Sequence, residues 1–310
     1  MLFFYIAGNV ILPIFLVMAL GYAVSKHFNL DLPSLSKLNF YVFMPVFMFY
    51  SLLIFKPSTQ DVAETVYFNL FLAVFSLLGM VGLTRALKFG DNLAAAATFG
   101  VLSFNAANYG IPVINLALRG NDAVQGEGIA IQVITITVLN VLNYTLGVLI
   151  VGGWREWQKG LVTMLKLPIL YALLAAVLIR QFNWDLPEAF MTSLKWTADG
   201  MLSIALLTLG AQLAQGGITL QHPRELWISV GARLLAGPLL GLLLTYVLGL
   251  HGLLARVLFI SSAFPTAVVT VIFGIEYKKE PTFSADLVFI TTLLSAITVT
   301  AAISLSAVLF

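Results

Sequence analysis

The 310-residue chain has no cysteine, so disulfides, thiolate metal sites, cysteine nucleophiles and palmitoylation are excluded together. Charge is scarce too. Asp, Glu, Lys and Arg make up 10% of the residues, against about 25% in ordinary soluble domains. The 16 basic and 14 acidic side chains leave a net charge of +2 and form no polybasic run, so no nucleic-acid partner is expected. The three histidines, His27, His222 and His251, map to loops, which argues against a histidine proton relay within a membrane. No His-Glu-x-x-His zinc pattern, paired-aspartate magnesium motif, or serine with a span-buried histidine is present. An enzyme, a metal centre and a bound cofactor are therefore not expected.

What is abundant is apolar. Hydrophobic residues make up 60% of the chain and the mean hydropathy is +0.99, which excludes a soluble globular protein. Ten segments of about 20 residues would use roughly 200 residues and leave only short tails and loops. A transmembrane barrel is excluded as well, because barrel strands alternate in polarity whereas Leu70 to Leu83 is almost continuously apolar. The expected class is an all-α polytopic membrane protein lying in a lipid bilayer.

Hydropathy and turn signals predict ten spans, about 4–24, 37–55, 65–87, 93–118, 128–151, 161–180, 196–214, 226–249, 254–277 and 285–308. Trp154, Trp157, Trp184, Trp196 and Trp227 all fall at or just beyond span ends, where an amphipathic ring suits the headgroup layer. With the amino terminus outside, the inside loops hold ten Lys or Arg residues and the outside loops hold five, Lys56, Arg119, Arg180, Lys195 and Arg256. The lysine and arginine bias thus predicts both termini outside. Met1 to Val24 lacks a basic leader region and reads as a first retained helix rather than a cleaved signal peptide.

The hexapeptide Phe28-Asn29-Leu30-Asp31-Leu32-Pro33 recurs 154 residues later as Phe182-Asn183-Trp184-Asp185-Leu186-Pro187. Five spans per half is an odd number, so the second half crosses the membrane in the opposite sense: repeats 1–155 and 156–310 are expected to be inverted. A second correspondence joins Pro112 in span four to Pro265 in span nine, 153 residues apart. Proline removes a backbone donor and clashes with the preceding turn, so both spans are expected to break at mid-depth. A lone transmembrane proline reads as a kink. A matched pair surrounded by Asn105, Asn108, Ser261, Ser262 and Thr266 reads as a binding site.

Asn108-Tyr109-Gly110-Ile111-Pro112-Val113, Phe264-Pro265-Thr266-Ala267 and Thr291-Thr292-Leu293-Leu294-Ser295, with Met44-Pro45-Val46-Phe47 and Arg233 to Pro238, resemble the auxin efflux carrier family of membrane transporters. That family includes plant PIN carriers and bacterial proteins described as malonate or malate permeases, and shares its fold with bile acid sodium symporters. The resemblance implies ten helices in two inverted repeats with broken, crossing helices 4 and 9. It further implies a scaffold of spans 1, 2, 6 and 7, a mobile transport domain of spans 3–5 and 8–10, and a homodimer. The short connection between spans five and six looks bacterial, which implies the cytoplasmic (inner) membrane; auxin itself is not implied as substrate.

A half-helix that starts at a break exposes amide groups and a partial positive charge, so an anion can bind there without a buried lysine. The expected substrate site is Asn108 and the amides near the stretch Gly110, Ile111, Pro112 and Val113, facing Thr266 and the amides that follow Pro265, Ala267 among them, with Asn105 and Tyr109 shaping the pocket. Asn105 and Asn108 can equally serve as interhelical hydrogen bonds. Gln132, Asn140 and Asn143 of span five, and Thr291, Ser295 and Thr298 of span ten, form polar stripes that could coordinate sodium or simply pack polar faces. Asp199 and Arg233 are the most span-internal charges and hence candidates for ion coupling or gating; Asp199 can also reach the interface beside Trp196. The expectation is elevator-type secondary transport of a small organic anion, a mono- or dicarboxylate, with sodium or proton coupling open. A sensor that binds carboxylate without moving it is the alternative.

Overall fold

The computed structural model describes residues 1–28, 30–216 and 218–310. Asn29, within the first hexapeptide, lies outside the described residues. Every regular element among them is helical, and the only β geometry is one isolated bridge. The helices are α1 (Leu2–Phe28), α2 (Leu32–Ile54), α3 (Thr59–Ala86), α4 (Asp91–Leu102), α5 (Gly110–Ala117), α6 (Asp122–Val151) and α7 (Trp154–Leu165). They continue as α8 (Pro168–Gln181), α9 (Glu188–Gln215), α10 (Pro223–Val247), α11 (Gly252–Ser262), α12 (Val269–Glu276) and α13 (Pro281–Leu309). Seven of these are long and apolar enough to cross a membrane, and the α7–α8 pair, bent by 48°, makes eight if it is one span. The chain is an integral membrane protein.

Local chemistry sets the helix starts. Ser58 and Asp61 form a reciprocal capping box ahead of α3, and Asn121 accepts from the Ala123 and Val124 amides ahead of α6. Pro168, Pro223 and Pro281 open α8, α10 and α13, where the missing N–H would have had no partner. Pro187 caps α9 at Glu188, so Trp196 sits two turns inside the helix rather than at its start. Glu188, Thr192, Ser193 and Lys195 lowered the hydropathy there without ending the helix. All five tryptophans are exposed.

Three prolines within spans leave a common mark. The turns Ala7–Ile11, Asn39–Phe43 and Ala232–Ala236 widen to π-helical geometry, each ending two residues before a proline: Pro13, Pro45 and Pro238. The proline ring crowds the carbonyl four residues earlier and offers no donor to it, and the wider turn relieves both problems without breaking the helix. A fourth wide turn, Asn143–Gly147 in α6, has no proline near it.

Packing divides the helices into two groups. Helix α9 packs on α1 and α2, and α2 on α8, while α3, α4, α6, α10, α11, α12 and α13 form the other set of neighbours; α1 also meets α13, and α2 meets α6. The α1–α9 contact is close enough to exclude side chains. A Cβ added at Gly21 would lie 2.2 Å from the Leu207 carbonyl oxygen, and one at Gly210 would lie 1.9 Å from that of Met18. Gly210→Val is therefore expected to cost about 1–3 kcal/mol by overpacking, read as an earlier thermal transition in detergent. Gly79→Ala, with open space around the position, should leave that transition in place or raise it slightly.

Candidate functional site

Two short helix pairs, α4 with α5 and α11 with α12, are interrupted over residues 103–109 and 263–268. The interruptions meet. Phe104 and Thr266 form the isolated antiparallel bridge: the Asn105 amide donates to the Pro265 carbonyl (2.8 Å) and the Ala267 amide to the Ser103 carbonyl (2.9 Å). Each unwound segment thereby supplies the partners that the other lost, as nonhelical backbone at membrane depth requires.

The two prolines do not hold equivalent places. Pro265 lies in the extended link, whereas Pro112 lies in the first turn of α5, where a missing N–H is harmless. The first break is instead shaped by Asn105, whose carbonyl accepts from the Gly110 amide (3.0 Å) and whose side-chain oxygen accepts from the Tyr109 amide (3.3 Å). This changes where free donors are found. The Gly110, Ile111 and Val113 amides bond to Asn105, Ala107 and Tyr109, so they are closed to a ligand. The Ala107, Asn108, Val268 and Val269 amides have no acceptor among the described residues.

Those four residues border a cavity of about 340 Å³. The wall also includes Lys37 and Asn39 of α2, Asn105 of the first break, Asn140 and Asn143 of α6, Thr208 and Gln212 of α9, and Ala267. Asn39 Nδ2 donates to Asn108 Oδ1 (3.0 Å), joining α2 to the first break. Asn105 Nδ2, Asn39 Oδ1, Asn143 Oδ1, Thr208 Oγ and Gln212 Oε1 are buried and have no partner among the described residues, so the wall holds both donors and acceptors for a polar ligand. Among the described residues, Lys37 is its one charged side chain and no carboxylate lines it.

The remaining expected residues lie behind the wall. Gln132 donates to the Ala106 carbonyl (2.8 Å) and accepts from the Ser261 hydroxyl (2.6 Å), tying the first break to α11. Thr291 accepts from the Thr266 amide (3.1 Å), and the Thr266 hydroxyl donates to the Gly100 carbonyl (2.9 Å). Ser295 donates to the Tyr109 hydroxyl (2.9 Å), while the Tyr109 ring packs edge-on against Phe264. The buried Gly110, Ile111, Pro112, Val113 and Pro265 shape this support. Arg233 is also buried and holds backbone carbonyls of both broken pairs. Asp199 stands apart: it is exposed and paired with Lys195 at 2.5 Å, one helical turn away. Asn39, Lys37, Thr208 and Gln212 were not singled out from sequence. The i, i+4 spacing of Thr208 and Gln212, on one face of an apolar helix, was the available signal.

Residues 154–303 match the family model described as membrane transport protein. The chain is 27% identical over 128 residues to auxin efflux carrier component 8 of Arabidopsis thaliana, covering 41% of this chain and 35% of that protein. It is 26% identical over 126 residues to auxin efflux carrier component 1 of the same plant, covering 40% of this chain and 20% of that protein. The matches thus span about a third and a fifth of the length of these relatives.

Gln132→Leu keeps roughly the same volume but strands the Ala106 carbonyl and leaves the Ser261 hydroxyl only the Val257 carbonyl as acceptor. It should cost about 1–3 kcal/mol, visible as a lower thermal transition in detergent. Asp199→Asn, breaking an exposed pair, should change stability by less than about 1 kcal/mol; a larger loss there would mean that Asp199 has a partner other than Lys195.

Proposed function

We propose that the chain, similar to membrane transport proteins and to auxin efflux carrier components, is a member of the auxin efflux carrier family and a secondary transporter of a small organic anion, a mono- or dicarboxylate, bound at the crossing of the two breaks. The carrying observation is the cavity wall: four free backbone amides, the unpaired Asn105 Nδ2 and Lys37, with no acidic side chain opposing them. The Val268 and Val269 amides present the positive end of α12, and those of Ala107 and Asn108 lie in the link just ahead of α5. These donors suit a carboxylate, and the unpaired oxygens of Asn39, Asn143, Thr208 and Gln212 leave acceptors for hydroxyl or other donor groups on the same ligand. A cavity of about 340 Å³ has the size of a small-molecule site.

The element order supports an inverted repeat. A run of three helices, a broken pair and one long helix (α1, α2, α3, α4–α5, α6) is followed by a second such run (α7–α8, α9, α10, α11–α12, α13), which makes ten spans when each broken or bent pair counts once. In this reading α1, α2, α8 and α9 form the scaffold, and the other helices form the transport domain. The cavity lies between the two groups, since α2 and α9 line one side and the breaks and α6 the other. Sliding one group past the other would expose the same wall alternately to each face, an elevator movement. The lining comes from the first half of α2 and the last halves of α6 and α9, all at the side with ten Lys and Arg in its loops, so this state opens inward. The Asn39–Asn108 bond crosses the sliding boundary and must break during transport. A homodimer held through the scaffold, in a bacterial inner membrane with both termini outside, completes the proposal.

Proteoliposomes given a panel of labelled carboxylates under separate sodium, proton and voltage gradients test this directly. Saturable uptake is expected, and the gradient it follows identifies the coupling. Binding without uptake across the panel would replace the transporter by a carboxylate sensor, and neither binding nor uptake would remove the anion reading. Asn108→Ala should weaken substrate affinity by about 2- to 12-fold, one neutral contact of about 0.5–1.5 kcal/mol, while shifting detergent stability by less than about 1 kcal/mol. Unchanged affinity would take Asn108 out of the site.

A further inference from the structure

Arg233 of α10 is 1% exposed, and no carboxylate pairs with it among the described residues. A guanidinium held away from both water and a counter-charge is costly, so its surroundings must supply the missing negative potential. They do so through backbone. One terminal nitrogen donates to the carbonyl of Val101 (2.8 Å), in the last turn of α4. The other donates to the carbonyl of Ser262, the last residue of α11. The guanidinium lies 5.2 Å from the ring centre of Phe104, the residue that forms the bridge with Thr266. Space is left by Gly237, one turn farther along α10, where an added Cβ would stand 2.7 Å from the Arg233 terminal nitrogen.

Two helices therefore end against this one side chain. Each C-terminal end carries about half an elementary negative charge, so the pair sums to about one, which a single monovalent cation offsets. We infer that Arg233 is a positioning residue, a fixed cation that holds the C-terminal ends of α4 and α11 together and occupies the position that the crossing would otherwise fill with a cation from solution. It does not line the cavity and so is not a substrate ligand. Its charge stays with the crossing through every cycle.

The inference rests on the transport reading only for its uptake arm; the stability arm needs no substrate. Arg233→Ala opens the space between the two carbonyls. In detergent with choline as the only added cation, this variant should melt below the parent protein. Adding guanidinium or sodium at about 10 mM should raise its transition saturably, as a ligand specific to the folded state does, while the parent and Gly79→Ala stay put. Arg233→Lys keeps the charge but gives up the planar fork, and should retain transport within roughly threefold of the parent. In proteoliposomes, guanidinium should restore uptake to Arg233→Ala. Parent-like stability of Arg233→Ala in choline would overturn the inference. So would a loss that no added cation repairs, or failure of both variants to fold with guanidinium present. A repaired melt without any uptake, in the parent as in the variant, would leave the clamp standing and count against the transport reading alone.

Discussion

Backbone that leaves a helix inside a hydrocarbon layer has no water to bond, so it persists only if other protein groups take over every donor and acceptor. In this molecule the requirement is met by pairing one break with the other. The bridge between Phe104 and Thr266 explains why two interruptions distant in sequence must lie side by side, and why their neighbours are polar. Gln132, Thr291 and Thr266 are each spent on the backbone of the crossing. Ser295 and Tyr109 brace it from behind.

The crossing is electrically divided. Helices α4 and α11 bring their negative ends to a sealed side, where Arg233 meets them. Helices α5 and α12 begin on the other side, where the cavity reaches the free amides of Ala107 and Asn108 in the link before α5 and of Val268 and Val269 at the start of α12. Positive potential thus faces the cavity from backbone dipoles, and the charged side chain of its lining, Lys37, belongs to the wall contributed by α2. On the proposed reading, the desolvation of a bound anion would be offset by dipoles already oriented for it.

Much of this was legible in the order of residues, because apolar runs in a bilayer obey a simple length rule and polar residues within them are conspicuous. The helical membrane class followed from that alone, and the matched prolines Pro112 and Pro265 pointed to the two spans that break. Asn105, Asn108, Asn140 and Asn143 stood out as polar side chains in apolar runs, and all four border the cavity. What could not be read was tertiary. Asn39, Thr208 and Gln212 meet the breaks only because α2 and α9 pack beside them, and hydropathy has no term for which faces meet. Pro112 and Pro265 matched in spacing but differ in role, since a proline is harmless in a first helical turn and decisive in an extended link. The amides of residues 110–113 were expected to be free; Asn105 caps the turn locally and moves the open donors to Ala107 and Asn108.

The wide turn Asn143–Gly147 has a different kind of consequence. It carries Asn143 and Tyr144 to the cavity wall and, unlike the other wide turns, owes nothing to a proline. A π-turn is an α-helix that has accommodated one surplus residue within a single turn. Deleting one residue there would restore ordinary pitch while keeping the flanking stretches of α6 in phase, whereas the same deletion elsewhere in the helix would rotate everything beyond it by about 100°. The cavity can therefore be redrawn by a change in chain length as well as by substitution, which gives related sequences a route to new pocket shapes that a comparison of aligned side chains would overlook.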